Sequence, residues 1–481
     1  MTYQIMPLRF ARWNASEYLV TNDVGEFTFL PQDAFTAFVE HRLDTRGKTF
    51  LDLKSKHLVT DTDIAPMIEM LATKFRTKKS VLSHFTSLHM VVPTLRCNSN
   101  CIYCQVSRKD QNDRCVDMSR QTAKRIVRTI FESPSPEIKI EFQGGEPLIH
   151  FGMVRMIIED AEWCNLFKKK RLEFVLCSNL TLLTPSIARY LKKHNCYIST
   201  SLDGPEVLHN ANRPLQGRSR THEVFTEKLN MCRDIMGKDR VSALMTTTCH
   251  NVRWLKEVVD EYIRLGFSSI FLRSLNPYGL AKRDKGEIAY PSDLFIEQYK
   301  IALDYIIELN VKGIYFVEGF AELLLTRILT PFATGFVDLQ SPAGVGISGV
   351  IYDYDGNVYV SDEARMMANM GDLKFKMGNV HTNTYQEMFN GAFLRDVIAQ
   401  SCTECLPGCV DCAFQSFCGA DPVRNYSEQG SLMGHRPTNE MCKKTKAVIQ
   451  YLLELIRQND PQINDVFWSW ITRRSLQGEP S

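Results

Sequence analysis

The sequence predicts an α/β protein: a partial (β/α)6 barrel, with a small α+β module before it and a cysteine-rich domain after it. Three observations predict this. Between residues 81 and 330, six strand-like runs alternate with helix-like segments, the rhythm of parallel strands joined by right-handed crossovers. Residues 1–80 place short strands ahead of helices, as a small α+β unit does. Over residues 331–481 the alternation stops and cysteines crowd together.

Composition limits the function classes. At 481 residues, with 44% apolar and 23% charged residues, the chain has the makeup of a soluble globular protein of two or three domains. A formal net charge of +2 gives no global pull toward nucleic acid or a membrane surface. The opening MTYQIMPLRFARWNASEY lacks the apolar core of a secretory signal, and no run is apolar and long enough to span a bilayer. The expectation is a cytoplasmic protein with no nucleic-acid or membrane partner.

In the first module, YLVTNDVGEFTFL reads as two strands around a turn at Asp23–Gly25, and DAFTAFVEHRL as a helix. FLDLKSKHLV and IAPMIEMLATKF have helical spacing. LHMVVPTL is the first barrel strand, and SRQTAKRIVRTIFE, capped by Ser119, the first barrel helix. IKIEF is the second strand, followed by GGEP and the helix MVRMIIEDAEW. LEFVLCSN is the third, and its helix TPSIARYLKKH has Thr184 as N-cap and Pro185 at the first position. CYISTSLDG, VSALMTTT and SSIFLRSLN are the fourth to sixth. The helix after the fifth puts Trp254, Leu255, Val258, Val259, Tyr262 and Ile263 on one face. VIYDYDGNVYVSD is a hairpin turning at Asp355–Gly356, and a last helix covers roughly residues 440–458.

Of the 15 cysteines, three lie in TLRCNSNCIYCQ (Cys97, Cys101, Cys104), five lie between residues 402 and 418, and Cys442 stands apart. In a reducing compartment such clusters point to metal or catalysis. The other six, Cys115, Cys164, Cys177, Cys196, Cys232 and Cys249, read as small buried apolar side chains. A tetrahedral metal or complete iron–sulfur cluster wants four protein ligands, and the first loop supplies three. One alternative is a zinc knuckle that borrows a distant fourth ligand.

The C-x3-C-x2-C pattern, with Tyr103 before the third cysteine, resembles the signature of radical S-adenosylmethionine (SAM) enzymes, and three further motifs follow in the expected order. The resemblance implies a 4Fe–4S cluster on Cys97, Cys101 and Cys104, with SAM on the fourth iron. FQGGEP, with Gly144, Gly145 and Glu146, matches the turn that binds the methionyl amine. Ser178 and Asn179 of CSNLTLLT match contacts to the cofactor's carboxylate or ribose. Ser201 and Asp203 of STSLDGP match a ribose-facing pair, and Arg213 matches an arginine that neutralises the carboxylate. The implied chemistry is one-electron reductive cleavage of SAM to a 5′-deoxyadenosyl radical that abstracts hydrogen from substrate. An external donor such as flavodoxin or ferredoxin would supply the electron.

Cys409, Cys412, Cys418 and Cys442 resemble the ligands of the outer auxiliary 4Fe–4S cluster in the SPASM extension of peptide-modifying radical enzymes; a four-cysteine zinc site is the alternative. The pattern departs from the usual one at Pro422, SPAGVG and Ser361, where cysteines are normal. Cys402 and Cys405 of CTEC are left without an assignment. PLRF, SDEARM, MGD..F..GNVH and CGADPV together resemble the His-Xaa-Ser system radical SAM maturases. That likeness implies a ribosomal precursor peptide with His-Xaa-Ser repeats as substrate, side-chain cross-linking as the reaction and a sister radical SAM protein as partner. It leaves the catalytic base unknown. Residues 1–80 weakly resemble modules that bind a leader peptide by strand addition. Two rivals stand beside this reading: an anaerobic sulfatase maturase oxidising a Cys or Ser side chain, and a non-catalytic iron–sulfur or zinc scaffold that binds peptide.

Overall fold

The computed structural model describes residues 3–217, 220–283 and 285–476. An eight-stranded sheet organises it, in the order Val241–Leu244, Cys196–Ser201, Arg171–Cys177, Glu137–Phe142, Leu88–Val91, Gly349–Tyr352, Asn357–Tyr359, Lys376–Asn379. The first five are parallel barrel strands. Alternation fixes their faces. In Glu137–Phe142, Ile138, Ile140 and Phe142 are buried under the helices, leaving Glu137, Lys139 and Glu141 for the other face. Helices start where the sequence places them: Ser119 Oγ accepts from Thr122 N at 3.1 Å, and Thr184 Oγ1 from Ile187 N at 3.3 Å.

Two expectations within the barrel need correction. The sixth strand shrinks to Ser269–Ile270, and it pairs with Val317–Glu318 in a separate two-stranded sheet. Beyond it the chain is bound otherwise: Leu272 N donates to the buried carboxylate of Glu318 and Arg273 O accepts from Thr247 N. Trp254 does not join the apolar face of its helix. It sits at the N-cap, 51% exposed, while Leu255, Val258, Val259 and Tyr262 are buried.

The expected C-terminal hairpin forms, and its first strand, Gly349–Tyr352, pairs in parallel with Leu88–Val91. The cysteine-rich domain therefore continues the barrel sheet. The helix Glu440–Gln458 is followed by another, Pro461–Thr472, which buries Val466, Phe467 and Trp470.

The N-terminal module is a three-stranded antiparallel sheet, Leu8–Arg12, Glu17–Asn22 and Phe27–Pro31, with helices Gln32–Val39, Lys48–Ser55 and Ile64–Lys78. It does not stand alone. Leu19 belongs to the main core, with Trp13, Phe27 and Phe29 packed against it. Thr21 Oγ1 donates to Ala413 O at 2.9 Å, and Trp13 Nε1 to Glu454 at 2.9 Å. Among the described residues no helix is long and apolar enough to cross a membrane.

Candidate functional site

The first cysteine loop leaves the barrel sheet at the C-terminal end of Leu88–Val91, where sites of such folds form. An ion pair fixes its base: Arg96 Nε and Nη2 meet the two oxygens of Asp117 at 2.7 and 2.8 Å, and Thr94 Oγ1 donates to Asp117 at 2.6 Å. This bidentate geometry is strong and directional. Asn100 N and Ile102 N are tied to Pro214 O and Asn212 O. Cys97 and Cys104 are buried and Cys101 nearly so. Burial raises the Cys97 pKa, and Cys101, Glu146 and Cys104 add to the rise. Burial also pushes Cys101 up to about 11, against the pull of Arg213. Among the described residues, no three His, Cys, Asp or Glu side chains are grouped as for a single metal ion.

The Gly144–Gly145 turn lies directly on this loop. A Cβ on Gly144 would come within 2.3 Å of Thr94 O, and one on Gly145 within 2.1 Å of Arg96 O. The absent side chains therefore let the turn seat on the cysteine loop. Gly145 N and Glu146 N donate to Thr94 O and Arg96 O at 3.0 and 2.7 Å. The carbonyls of Gly144 and Gly145 accept no hydrogen bond among the described residues; they are acceptors available to a ligand.

Other residues singled out from the sequence are present but occupied. Glu146 is 1% exposed; it accepts from Ser178 Oγ and Asn179 N, both at 2.8 Å, and from Leu148 N at 3.1 Å. Burial raises it to about 7 in spite of those donors. It braces the second βα turn against the third. Asn179 Nδ2 in turn donates to Asn98 Oδ1 and Ser99 Oγ, both at 2.9 Å, which ties its turn to the cysteine loop. Asp203 is fully buried and takes Tyr103 OH at 2.7 Å, Arg213 Nε at 2.9 Å and Thr246 N at 3.1 Å. Arg213 also stacks on the Tyr103 ring at 5.1 Å and reaches Cys101 Sγ at 4.0 Å. Burial opposes its charge, yet Asp203, Tyr103 and Cys101 hold its pKa above the ordinary value. Ser201 ends its strand half-buried, paired with Leu244.

The second group forms where turns meet a helix. Cys409, Cys412 and Cys418 each donate a backbone N–H to a carbonyl three residues back, in successive tight turns. Cys442 stands in the first turn of its helix, whose N-cap Asn439 accepts from Cys442 N at 2.8 Å. Burial pushes Cys418 up to about 12, and the charges of Cys442, Cys409 and Cys412 add to the rise. Positions that lack the usual cysteine have structural work. Ser361 caps Asp362–Asn369, and Pro422 opens Pro422–Gln429 behind the cap Asp421. Ser341 Oγ accepts from Thr403 N at 2.8 Å and bonds Glu404, which Lys79 also binds. Cys402 is half-buried and Cys405 exposed. Of the six scattered cysteines only Cys196 and Cys232 are buried as expected; Cys164, Cys177 and Cys249 are half-buried and Cys115 is exposed. Cys177 ends a barrel strand on the half-buried face, with Sγ 3.4 Å from Glu141.

A cavity of about 370 Å³ has Glu141 and Gln143, the latter preceding Gly144, and Met441 and Lys444, near Cys442 in the sequence, among its lining residues. Phe271 and Arg273, from beyond the shortened sixth strand, also line it. Sequence reasoning missed this lining. The signal for Glu141 was the period of two in EIKIEF, which leaves charged residues on one face.

Comparison with known proteins bears on the fold and on residues 91–272. Residues 91–272 match the profile of the Radical SAM superfamily, so the chain carries a radical SAM domain. An uncharacterized protein of Methanocaldococcus jannaschii is 29% identical over 194 residues, 39% of this chain and 63% of that protein. The chain thus spans just under two thirds of the first relatives it matches, at 63% and 64%. A cysteine-type anaerobic sulfatase-maturating enzyme of Clostridium perfringens is 23% identical over 375 residues, covering 74% of this chain and 93% of that enzyme. The solved structure of anSMEcpe with bound AdoMet and the Cp18Cys peptide superposes with a TM-score of 0.63 at 18% identity, covering 78% of this chain and 99% of that one. Streptococcus suis SuiB bound to its precursor peptide SuiA gives 0.50 at 12% identity, covering 91% and 99%. These structural likenesses speak to the fold.

Proposed function

We propose that the chain is a radical SAM peptide maturase. Cys97, Cys101 and Cys104 hold a 4Fe–4S cluster, and Cys409, Cys412, Cys418 and Cys442 hold an auxiliary one. The observation that carries the reading is the glycine turn seated on the three-cysteine loop at Thr94 O and Arg96 O, with neighbours of that turn and of Cys442 lining one cavity. The free carbonyls of Gly144 and Gly145 suit the ammonium of SAM, whose three N–H donors need acceptors, and half-buried Ser201, at the end of its barrel strand, is a further polar group for the cofactor. Glu146, Asn179 and Asp203 act one step back, holding the turns and Tyr103 in place. When bound, cluster and SAM supply one-electron cleavage of the sulfonium and hydrogen abstraction from a substrate carbon.

The cavity suits a single side chain of a longer peptide. Its aromatic residues give it an apolar wall, while Glu141, Arg273 and Lys444 give it polar anchors. The substrate in this reading is a ribosomal precursor peptide of His-Xaa-Ser type, cross-linked through side chains, with an external one-electron donor and a sister radical SAM protein as partners. A second reading, oxidation of a sulfatase Cys or Ser, is favoured by the likeness to the Clostridium enzyme over 93% of its length.

The test is anaerobic turnover of cluster-loaded protein with dithionite, SAM and peptide, followed for 5′-deoxyadenosine and peptide mass. A Cys97→Ala, Cys101→Ala, Cys104→Ala variant is the control. A His-Xaa-Ser peptide losing two hydrogens with its chain intact supports cross-linking; a sulfatase peptide converted to an aldehyde supports the second reading. Absence of 5′-deoxyadenosine from loaded, reduced protein with either peptide overturns both.

A further inference from the structure

The motif SDEARM contains a buried charge for which neither the cysteines nor the cavity accounts. Arg365 is 0% exposed. Its Nε and Nη2 donate to one oxygen of Asp362 at 3.2 and 3.1 Å, and Nη1 has no hydrogen-bond partner. A buried guanidinium with a bare nitrogen is costly unless something charged lies near it. Beyond Asp362, the charges acting on it are those of Asp353 and Cys104.

The helix Asp362–Asn369 is seated against the trailing end of the first cysteine loop. Asn369 Nδ2 donates to Val106 O at 3.4 Å, and the Met370 that follows takes Gly279 N at 3.2 Å. Gly279 itself abuts the loop so closely that a Cβ would lie 2.7 Å from Cys104 O and 2.3 Å from Gln105 O. A second guanidinium, that of Arg213 from the barrel, reaches Cys101 Sγ. The helix that carries Arg365 therefore packs on the loop from the C-terminal side, with Asn369 one turn on from Arg365, while Arg213 reaches the loop from the barrel.

We propose that Arg365 is a positioning residue for the first cluster: a cation delivered by the C-terminal domain to the Cys104 side that raises the cluster's reduction potential. The inference rests on the cluster assigned under the proposed function. Reduction adds one electron from an external donor to a centre already ringed by thiolates, and a fixed positive charge nearby stabilises the added charge. Asp362 and Asp353 offset part of this, so removing the charge should lower the equilibrium constant for reduction by about tenfold, or about 59 mV for one electron.

The experiment is an anaerobic potentiometric titration followed by electron paramagnetic resonance. It uses loaded full-length protein, wild type against Arg365→Lys, Arg365→Gln and Arg365→Met. The first cluster is identified as the signal that SAM perturbs, and the auxiliary cluster is the internal reference. Lys should stay within about twofold of wild type, and Gln and Met should fall about tenfold with the reference unmoved. Loading that survives in Lys but fails in Gln and Met also supports a charge requirement. Equal potentials in all four proteins, or loss of the cluster from all three variants, overturns the proposal. Absence of any SAM-perturbed signal in wild type would instead overturn the cluster reading beneath it.

Discussion

The two cysteine groups are built on opposite principles. The first is a loop of irregular backbone made rigid by its neighbours: the Arg96–Asp117 pair below, Glu146 and Asn179 behind, and Asp203 clamping Tyr103 and Arg213. The second is a run of tight turns with a fourth cysteine at a helix start. The proposed ligand counts, three and four, fit this contrast. A site that must admit a ligand leaves a position open and is held by protein; a closed site is held by what it binds.

The largest expected effect tests that contrast directly. Replacing Cys97, Cys101 and Cys104 by Ala should abolish SAM cleavage and remove one cluster's iron, yet leave the thermal transition near that of wild type. Replacing Cys409 and Cys412 should remove the other cluster's iron and lower the midpoint by several degrees, since the turns lose their cross-link. Paired iron analysis and anaerobic calorimetry check both. Equal destabilisation by the two sets would break the comparison.

Next in size is Gly145→Ala. With Arg96 O at 2.1 Å from the new Cβ, the turn must lift off the loop, at about 3 kcal/mol. Denaturant unfolding measures the loss, and iron content should fall at the first site only. Tyr103→Phe is smaller: Asp203 loses one buried donor but keeps Arg213 and Thr246, so about 1.5 kcal/mol is expected. Deleting residues 1–80 is a poor test of peptide binding, because Leu19 and its neighbours complete the main core.

The smallest effects are pH slopes of opposite sign. Burial raises Glu146, at the first site, to about 7. Its folded form therefore holds a proton that the unfolded chain gives up near 4.5, and stability falls as pH rises between those values. The deficit of Glu146→Gln should shrink over that window. Glu404, beside the second group, is opposed by burial, but Lys79 and Ser341 hold it below the ordinary carboxylate value. Its contribution is present above that range and lost as pH falls through the folded value, so the deficit of Glu404→Gln should grow as pH rises through the carboxylate range. Urea unfolding across pH 3 to 8 reads both slopes, neither steeper than about 1.4 kcal/mol per pH unit.

Much of this protein is written locally. The five parallel strands follow from apolar runs with a period of two, and the helix starts at Ser119 and Thr184 follow from capping chemistry that acts within three residues. The first loop's cysteines, its glycine turn and the four spaced thiols were legible because ligand spacing is a property of the chain itself. The tertiary structure decided what distance along the chain conceals. It set Glu146, Ser178 and Asp203 to bracing, because a buried carboxylate takes whatever donors surround it. It cut the sixth strand to two residues, because Glu318 and Thr247 bind the chain beyond it. It joined Gly349–Tyr352 to the barrel sheet and brought Asn369, on the helix of Arg365, to Val106 O from 263 residues away in the sequence. Those contacts are non-local pairings of backbone and charge, and no window of the sequence holds both partners.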